Sequence, residues 1–274
     1  MDAALHLWLM PLGFAVGAVG TLIGAGGGFV LVPILLLLYP DRSPELVTSM
    51  SLAVVYFNAF SGTCAYARLK RIDYKSGLVF ALATVPGAVL GALTTHLIPR
   101  RVFDGVFGGL LLVLAVFLVL QRHREYLGCD VPPPDGHTVR TVVDANGSRY
   151  TFSFNLFGGI VLSLVVGYLS SALGVGGGVI HVPALIRLLH FPAHIATATS
   201  HFILTFTSLA GTVVHVAHGV FSQGATGTLC LAIGALMGAQ LGAWVSGRLR
   251  GVWIIRCLAI ALGFVGVRVL VMAL

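Results

Sequence analysis

Residues 5–38 carry no charged side chain, and four of the five positions 24–28 are glycine. A straight α-helix of 34 residues would measure about 51 Å, against a hydrocarbon core of about 30 Å. The glycines fall inside the run, and each costs a helix about 1 kcal/mol relative to alanine. The run therefore reads as a helix–break–helix hairpin. Broken backbone in a bilayer must satisfy its freed N–H and C=O groups, so it survives only where protein buries it or where it lines a cavity.

The block occurs twice. Leu22-Ile23-Gly24-Ala25-Gly26-Gly27-Gly28-Phe29-Val30-Leu31-Val32-Pro33 returns as Ala172-Leu173-Gly174-Val175-Gly176-Gly177-Gly178-Val179-Ile180-His181-Val182-Pro183. Downstream, Thr48-Ser49-Met50-Ser51 matches Thr197-Ala198-Thr199-Ser200, Gly62-Thr63 matches Gly211-Thr212, and Gly87-x3-Gly91 matches Gly238-x3-Gly242. Shared glycine, proline and hydroxyl spacing is more than two hydrophobic stretches reach by chance. The chain reads as a first transmembrane repeat (1–121), a connector (122–152) and a second repeat (153–274). Internal symmetry of this kind marks many secondary transporters.

Composition agrees. Only 9% of residues are charged and 57% are hydrophobic, where a soluble domain carries about 25% charged residues. The fold class is all-α polytopic membrane protein, each repeat a glycine-broken hairpin followed by three helices. A soluble enzyme, a secreted disulfide scaffold and a disordered chain are excluded. The formal charge of +7 comes from basic residues set singly or in short clusters between apolar runs, so no nucleic-acid partner is indicated. The four cysteines form no CxxC pair, and no metal or cofactor is expected. Met1-Asp2-Ala3 lacks a basic n-region, so residues 5–38 are taken as mature membrane structure.

The hairpin decides topology. It returns the chain to its starting side, so each repeat crosses effectively three times and the second repeat is inverted. With 122–152 inside, Arg68, Lys70, Arg71, Lys75, Arg122, Arg124, Arg140, Arg149, Arg187, Arg248, Arg250 and Arg256 are cytoplasmic, while Arg42, Arg100, Arg101 and Arg268 are outside. That split of 12 to 4 satisfies the positive-inside bias; single crossings would give 9 to 7. A multi-pass protein of the cytoplasmic membrane follows. Within the connector, Pro132-Pro133-Pro134 reads as a stiff linker, and Thr138–Val143 and Ser148–Phe154 flank a hairpin-type turn at Asp144-Ala145-Asn146-Gly147.

The chemistry is expected at the breaks. Gly26, Gly27, Gly28 and Gly176, Gly177, Gly178 follow no strand and lack a Gly-Lys-Ser/Thr ending, so a phosphate loop does not fit. Instead, each hairpin aims backbone N–H groups and a positive helix end at a cavity, a site for an anion. Pro33 and Pro183 are expected in the first turn of the returning limb. Close helix packing is the plainer use of such glycines, and Gly87, Gly91, Gly238 and Gly242 are assigned to it.

Ser49, Ser51, Thr197, Thr199, Ser200 and His201 begin the next segments, with Thr48 beside them, and Asn58 lies two turns on. Hydroxyls and a neutral imidazole bind oxyanion oxygens without carrying charge into the membrane. Back-bonding to the preceding turn is their alternative use. Gln240 is read as a helix–helix hydrogen bond. All nine acids sit in polar stretches or near span ends and the second repeat has none, so no buried carboxylate proton relay exists. A path poor in carboxylates and rich in donors favours a small anionic substrate.

The duplicated Gly-x-Gly-Gly-Gly-x4-Pro block followed by a Thr/Ser-rich segment resembles the sulfite exporter TauE/SafE family of membrane transporters, also called toluene sulfonate uptake permeases. The resemblance covers nearly the whole chain. It implies movement of small sulfur-containing oxyanions or organosulfonates, such as sulfite or sulfoacetate, across the cytoplasmic membrane. The family's Thr-Ser motif maps onto Thr199-Ser200; the first repeat reads Met50-Ser51, and His201 replaces an apolar residue.

The expected function is export of such anions by alternating access, with the bilayer as surroundings and a homodimer left open. A channel for the same anions is the nearest alternative. An intramembrane enzyme would need HExxH, GxSxG or paired carboxylates, all missing from the apolar runs. An assembly protein would work through the 122–152 loop.

Overall fold

The computed structural model describes residues 3–39, 42–120, 137–220, 224–249 and 251–273. Pro132–Pro134, Arg122, Arg124, Cys129 and Arg250 lie outside the described residues. In chain order the elements are α1 (Ala3–Ile23), α2 (Gly28–Leu38), α3 (Pro44–Arg68), α4 (Tyr74–Thr94, continued by a short 3-10 turn Thr95–Leu97), α5 (Arg100–Leu120), β1 (Thr138–Val143), β2 (Arg149–Phe154), α6 (Leu156–Leu173), α7 (Gly178–Arg187), α8 (Ala193–Ala217), α9 (Ala225–Ser246) and α10 (Gly251–Ala273). Seven helices among the described residues are long and apolar enough to cross a membrane: α3, α4, α5, α6, α8, α9 and α10. The chain is a polytopic α-helical membrane protein.

Each glycine block ends one helix and starts a shorter one, and three long helices follow each pair. Local chemistry sets several boundaries. Ser43 caps α3 by accepting from the Leu46 N–H, with Pro44 at the first position. Asp73 caps α4 through the Ser76 N–H, and Asn155 caps α6 through the Gly158 N–H. Pro33 and Pro183 lie inside α2 and α7, not in their first turns. Each limb starts directly after Gly27 or Gly177, so the proline falls one turn later than expected. It removes the N–H that the Phe29 or Val179 carbonyl would otherwise receive.

The long helices pair across the two halves of the chain. α9 lies along α1, where Gly234, Gly238 and Gly242 face the carbonyls of Met10, Phe14 and Ala18 too closely to admit a side chain. α4 lies along α6 in the same manner, with Gly87 and Gly91 against the Leu164 and Tyr168 carbonyls. Gly87, Gly91, Gly238 and Gly242 thus do the packing work read from the sequence, and Gly234 joins them. Gln240 donates to the Ser61 carbonyl (2.9 Å) and hydroxyl (2.7 Å), tying α9 to α3.

β1 and β2 pair antiparallel with Thr138 opposite Phe154. Phe152 and Phe154 point into an aromatic cluster with Phe80 and Phe191, with Phe152–Phe191 ring centres 4.3 Å apart. The turn docks on the α3–α4 loop: the Ala145 N–H donates to the Leu69 carbonyl (2.9 Å), and Arg71 pairs with Asp144 (3.4 Å) in a buried ion pair. The hairpin end of the molecule carries Arg68, Lys70, Arg71, Lys75, Arg140, Arg149, Arg187 and Arg248 at element ends and loops. The opposite end holds Arg42, Arg100 and Arg101, where Arg100 donates to the Leu36 and Arg42 carbonyls.

Candidate functional site

The two breaks touch. Gly24, Gly26 and Gly27 have φ of 83°, 74° and 81°, and Gly174, Gly176 and Gly177 have 71°, 84° and 88°. This left-handed backbone costs an L-residue roughly 1–2 kcal/mol at each position, so the chain uses glycine there. The first turn of α2 closes on the Gly27 carbonyl from Val30 and Leu31, and that of α7 on the Gly177 carbonyl from Ile180 and His181. The amides of Gly28 and Phe29, and of Gly178 and Val179, are left without a partner inside their helices.

Gly28 and Gly178 are glycine for a different reason. A Cβ on Gly28 would sit 2.5 Å from the Val175 carbonyl oxygen, and one on Gly178 would sit 2.5 Å from the Gly24 carbonyl oxygen. Each helix start is thus pressed against a carbonyl of the other break. Gly26 and Gly176 both meet Val55 and Leu204. Those two residues are the twelfth of their 25-residue helices (44 to 55 and 193 to 204), so the crossing lies midway along α3 and α8.

Side-chain bonds across the crossing also come in matched pairs. Ser51 donates its hydroxyl to the Gly174 carbonyl (2.7 Å), and Ser200 donates to the Gly24 carbonyl (3.2 Å). Thr48 lies beside Gly174 and Thr197 beside Gly24. Ser49 and Thr197 back-bond to the Leu46 and Ala193 carbonyls within their own helices. Thr199 accepts the Asp73 N–H (3.1 Å), which binds the α3–α4 loop to α8.

Asn58 and His201 meet at Thr21. The Thr21 hydroxyl donates to Asn58 Oδ1 (3.1 Å) and lies 3.2 Å from His201 Nε2, and the Tyr66 hydroxyl donates to the Thr21 carbonyl (2.7 Å). His181, on α7, bonds Ser163 of α6 (3.3 Å).

All thirteen predicted residues are buried. The six glycines, Ser51, Thr197 and Ser200 belong to the breaks and their contacts, whereas Ser49 bonds its own helix, Thr199 the α3–α4 loop, and Asn58 and His201 the Thr21 hydroxyl. Five polar atoms beside the crossing have no hydrogen-bond partner: Thr48 Oγ1, Asn58 Nδ2, Ser170 Oγ, Ser171 Oγ and His201 Nδ1. A buried polar group left unpaired costs about 1–3 kcal/mol, so such a cluster calls for a ligand or water. Sequence reasoning missed Thr21, Ser170, Ser171, Tyr66 and Asp73. Thr21 and Ser171 carry a usable signal: each is a hydroxyl three residues before the first glycine of its block. Asp73 carries none, because only the folded loop brings it to Thr199.

Broken helices meeting midway along α3 and α8, among helices long and apolar enough to span, define a membrane-transporter architecture. Residues 9–269 match the sulfite exporter TauE/SafE family, and the chain belongs to that family. It is 35% identical over 266 residues to the probable membrane transporter protein YunE of Bacillus subtilis, covering 94% of each chain. It is 31% identical over 252 residues to the probable membrane transporter protein ORF9 of a Sinorhizobium species, covering 90% of this chain and 84% of the relative. A probable membrane transporter protein of Methanocaldococcus jannaschii is 26% identical over 220 residues, covering 77% of this chain and 73% of the relative. No solved structure matches the chain significantly.

Proposed function

We propose that the protein exports small sulfur-containing oxyanions or organosulfonates, such as sulfite or sulfoacetate, across the cytoplasmic membrane by alternating access. The observation that carries this reading is the contact of the two glycine breaks, with unpaired polar groups of Thr48, Asn58, Ser170 and Ser171 around it. Two helix starts and neutral donors suit a small oxyanion, whose oxygens accept their hydrogen bonds. The matched contacts of the breaks support two inverted repeats with alternating access about this centre. The hairpin end, with its excess of Arg and Lys, is the cytoplasmic one.

The test is counterflow in proteoliposomes preloaded with sulfite or sulfoacetate. Saturable uptake of labelled substrate that depends on the preload is expected. Flux that ignores the preload and rises linearly with concentration would replace the carrier by a channel. A panel of sulfonates, sulfite, sulfate and carboxylates, read by thermal stabilisation, identifies the substrate, because a ligand of the folded state raises Tm. Stabilisation by cations alone would end the anion reading.

A further inference from the structure

The end of the molecule that carries the β-hairpin also holds an open cleft of about 500 Å3, lined by Lys70, Asp73, Tyr74, Lys75, Arg140 and Thr141 among others. It lies between the α3–α4 loop and β1, and its Asp73 is tied to α8 through the N–H bond to Thr199. Neither the break chemistry nor the helix packing uses it. We propose that this cleft is a second oxyanion-binding site, for a phosphate-type group carried by a soluble compound or by an anionic lipid headgroup.

Three observations converge on it. The first is charge. Elsewhere at this end Arg71 pairs with Asp144, Arg187 donates to the Leu118 carbonyl, and Arg248 stacks on Trp244. Among the described residues, Lys70 and Lys75 make no ion pair or hydrogen bond through their ammonium groups. Arg140 uses only Nε, toward the Ser76 hydroxyl at 3.4 Å. The one acid in the lining, Asp73, is buried, with Oδ1 capping α4 and Oδ2 without a hydrogen-bond partner, against three basic side chains in the same lining.

The second is backbone. α3 ends in a Schellman turn, in which the Lys70 N–H bonds the Ala67 carbonyl and the Arg71 N–H bonds the Tyr66 carbonyl. Lys70 occupies the left-handed position, φ 54°, where glycine is the unstrained choice. A lysine kept in that conformation points to a use for its side chain rather than for its backbone. The third is size. A volume of about 500 Å3 exceeds what a bare inorganic anion fills and suits a larger ligand that ends in one.

The experiment uses the purified full chain in neutral detergent with two probes: inorganic pyrophosphate by calorimetry, and retained phosphatidylglycerol by native mass spectrometry. The variants are Lys70→Gly, which relieves the strained turn, and Lys70→Gly/Lys75→Gln/Arg140→Gln. Lys70→Gly is expected to keep or raise Tm while weakening the bound probe about tenfold or more, as loss of one charge-assisted contact does. The triple variant is expected to lose it. Binding to wild type should fall with added salt. Pyrophosphate heat assigns a soluble ligand, and retained phosphatidylglycerol assigns a lipid. If neither probe binds wild type, or if Lys70→Gly binds each as wild type does, the proposal is wrong.

Discussion

Gly28→Ala tests the crossing of the two breaks most directly. Gly28 has ordinary helical φ, so the substitution adds no backbone strain and even favours the helix slightly. The cost comes from the opposite hairpin. The new Cβ would lie 2.5 Å from the Val175 carbonyl oxygen, and ordinary contact begins at 3.4 Å, so the hairpins must separate by about 0.9 Å (3.4 − 2.5). No flexible side-chain end can yield in place of that carbonyl. Overpacking of this kind costs about 1–3 kcal/mol; at roughly 2–4 °C per kcal/mol for a chain of this size, Tm should fall by about 2–12 °C. Gly178→Ala presses on the Gly24 carbonyl from the other side and should behave alike. Once one clash has parted the hairpins, the second meets more room. The double variant should therefore cost less than the sum of the singles, by about 0.5–3 kcal/mol. Gly105→Ala is the control: nothing lies within 4 Å of its Cβ position, so α5 should gain up to about 1 kcal/mol. Thermal melts of the four proteins in one detergent, with proteoliposome flux alongside, decide the matter. If Gly28→Ala melts and transports like Gly105→Ala, the breaks do not touch and the argument built on their contact fails.

Ser51→Ala and Ser200→Ala each strip a break carbonyl of its donor and should destabilise by about 0.6–1.7 kcal/mol; equal melts would show that water replaces the hydroxyl. Asp144→Ala leaves Arg71 buried without its partner, a loss of about 3–5 kcal/mol, to be read as a lower Tm and faster proteolysis of the hairpin. Cysteines placed at Lys75 and at Arg101 in a cysteine-free background should react with impermeant maleimide from opposite faces of the membrane. Labelling of both from one face would refute the topology.

Much of the fold was legible because the lipid leaves few options for backbone. A run of 34 apolar residues is too long for one crossing, and four glycines in five positions name the place where it breaks. In the polar connector, the β-prone runs flanking the turn signal at Asp144–Gly147 located β1 and β2. The start of each returning limb was less legible. Proline at the first turn is a preference, and here the left-handed Gly27 and Gly177 end the break earlier and carry Pro33 and Pro183 into the helix. The partners of the hydroxyls were not legible at all. Whether Ser49 bonds its own helix while Ser51 reaches the other break depends on helix rotation, which spacing alone does not fix. Lys70 is the same case: a sequence shows a lysine after a helix, and only the folded turn shows that glycine belongs there.

The packing also indicates which surfaces must slide, and the moving bodies it marks each combine helices of both repeats. α1 on α9 and α4 on α6 approach backbone to backbone at spaced glycines, which leaves little room for either helix to shift on its partner, so each pair should move as one body. α3 and α8 cross between these pairs and meet through side chains, among them Thr63 and Thr205, whose hydroxyls are 3.2 Å apart. Joining α3 to α8 should therefore stop the motion. In a chain with Cys64, Cys129, Cys230 and Cys257 replaced, Thr63→Cys/Thr205→Cys brings two sulfurs within bridging reach. Oxidation is expected to abolish counterflow and reduction to restore it, while ligand-induced stabilisation of the oxidised protein persists, since the bridge locks movement without touching the breaks. Full counterflow in the oxidised, bridged protein would place the moving surface elsewhere, and the rigid pairs would then have to be sought among helices joined by side chains rather than by glycine.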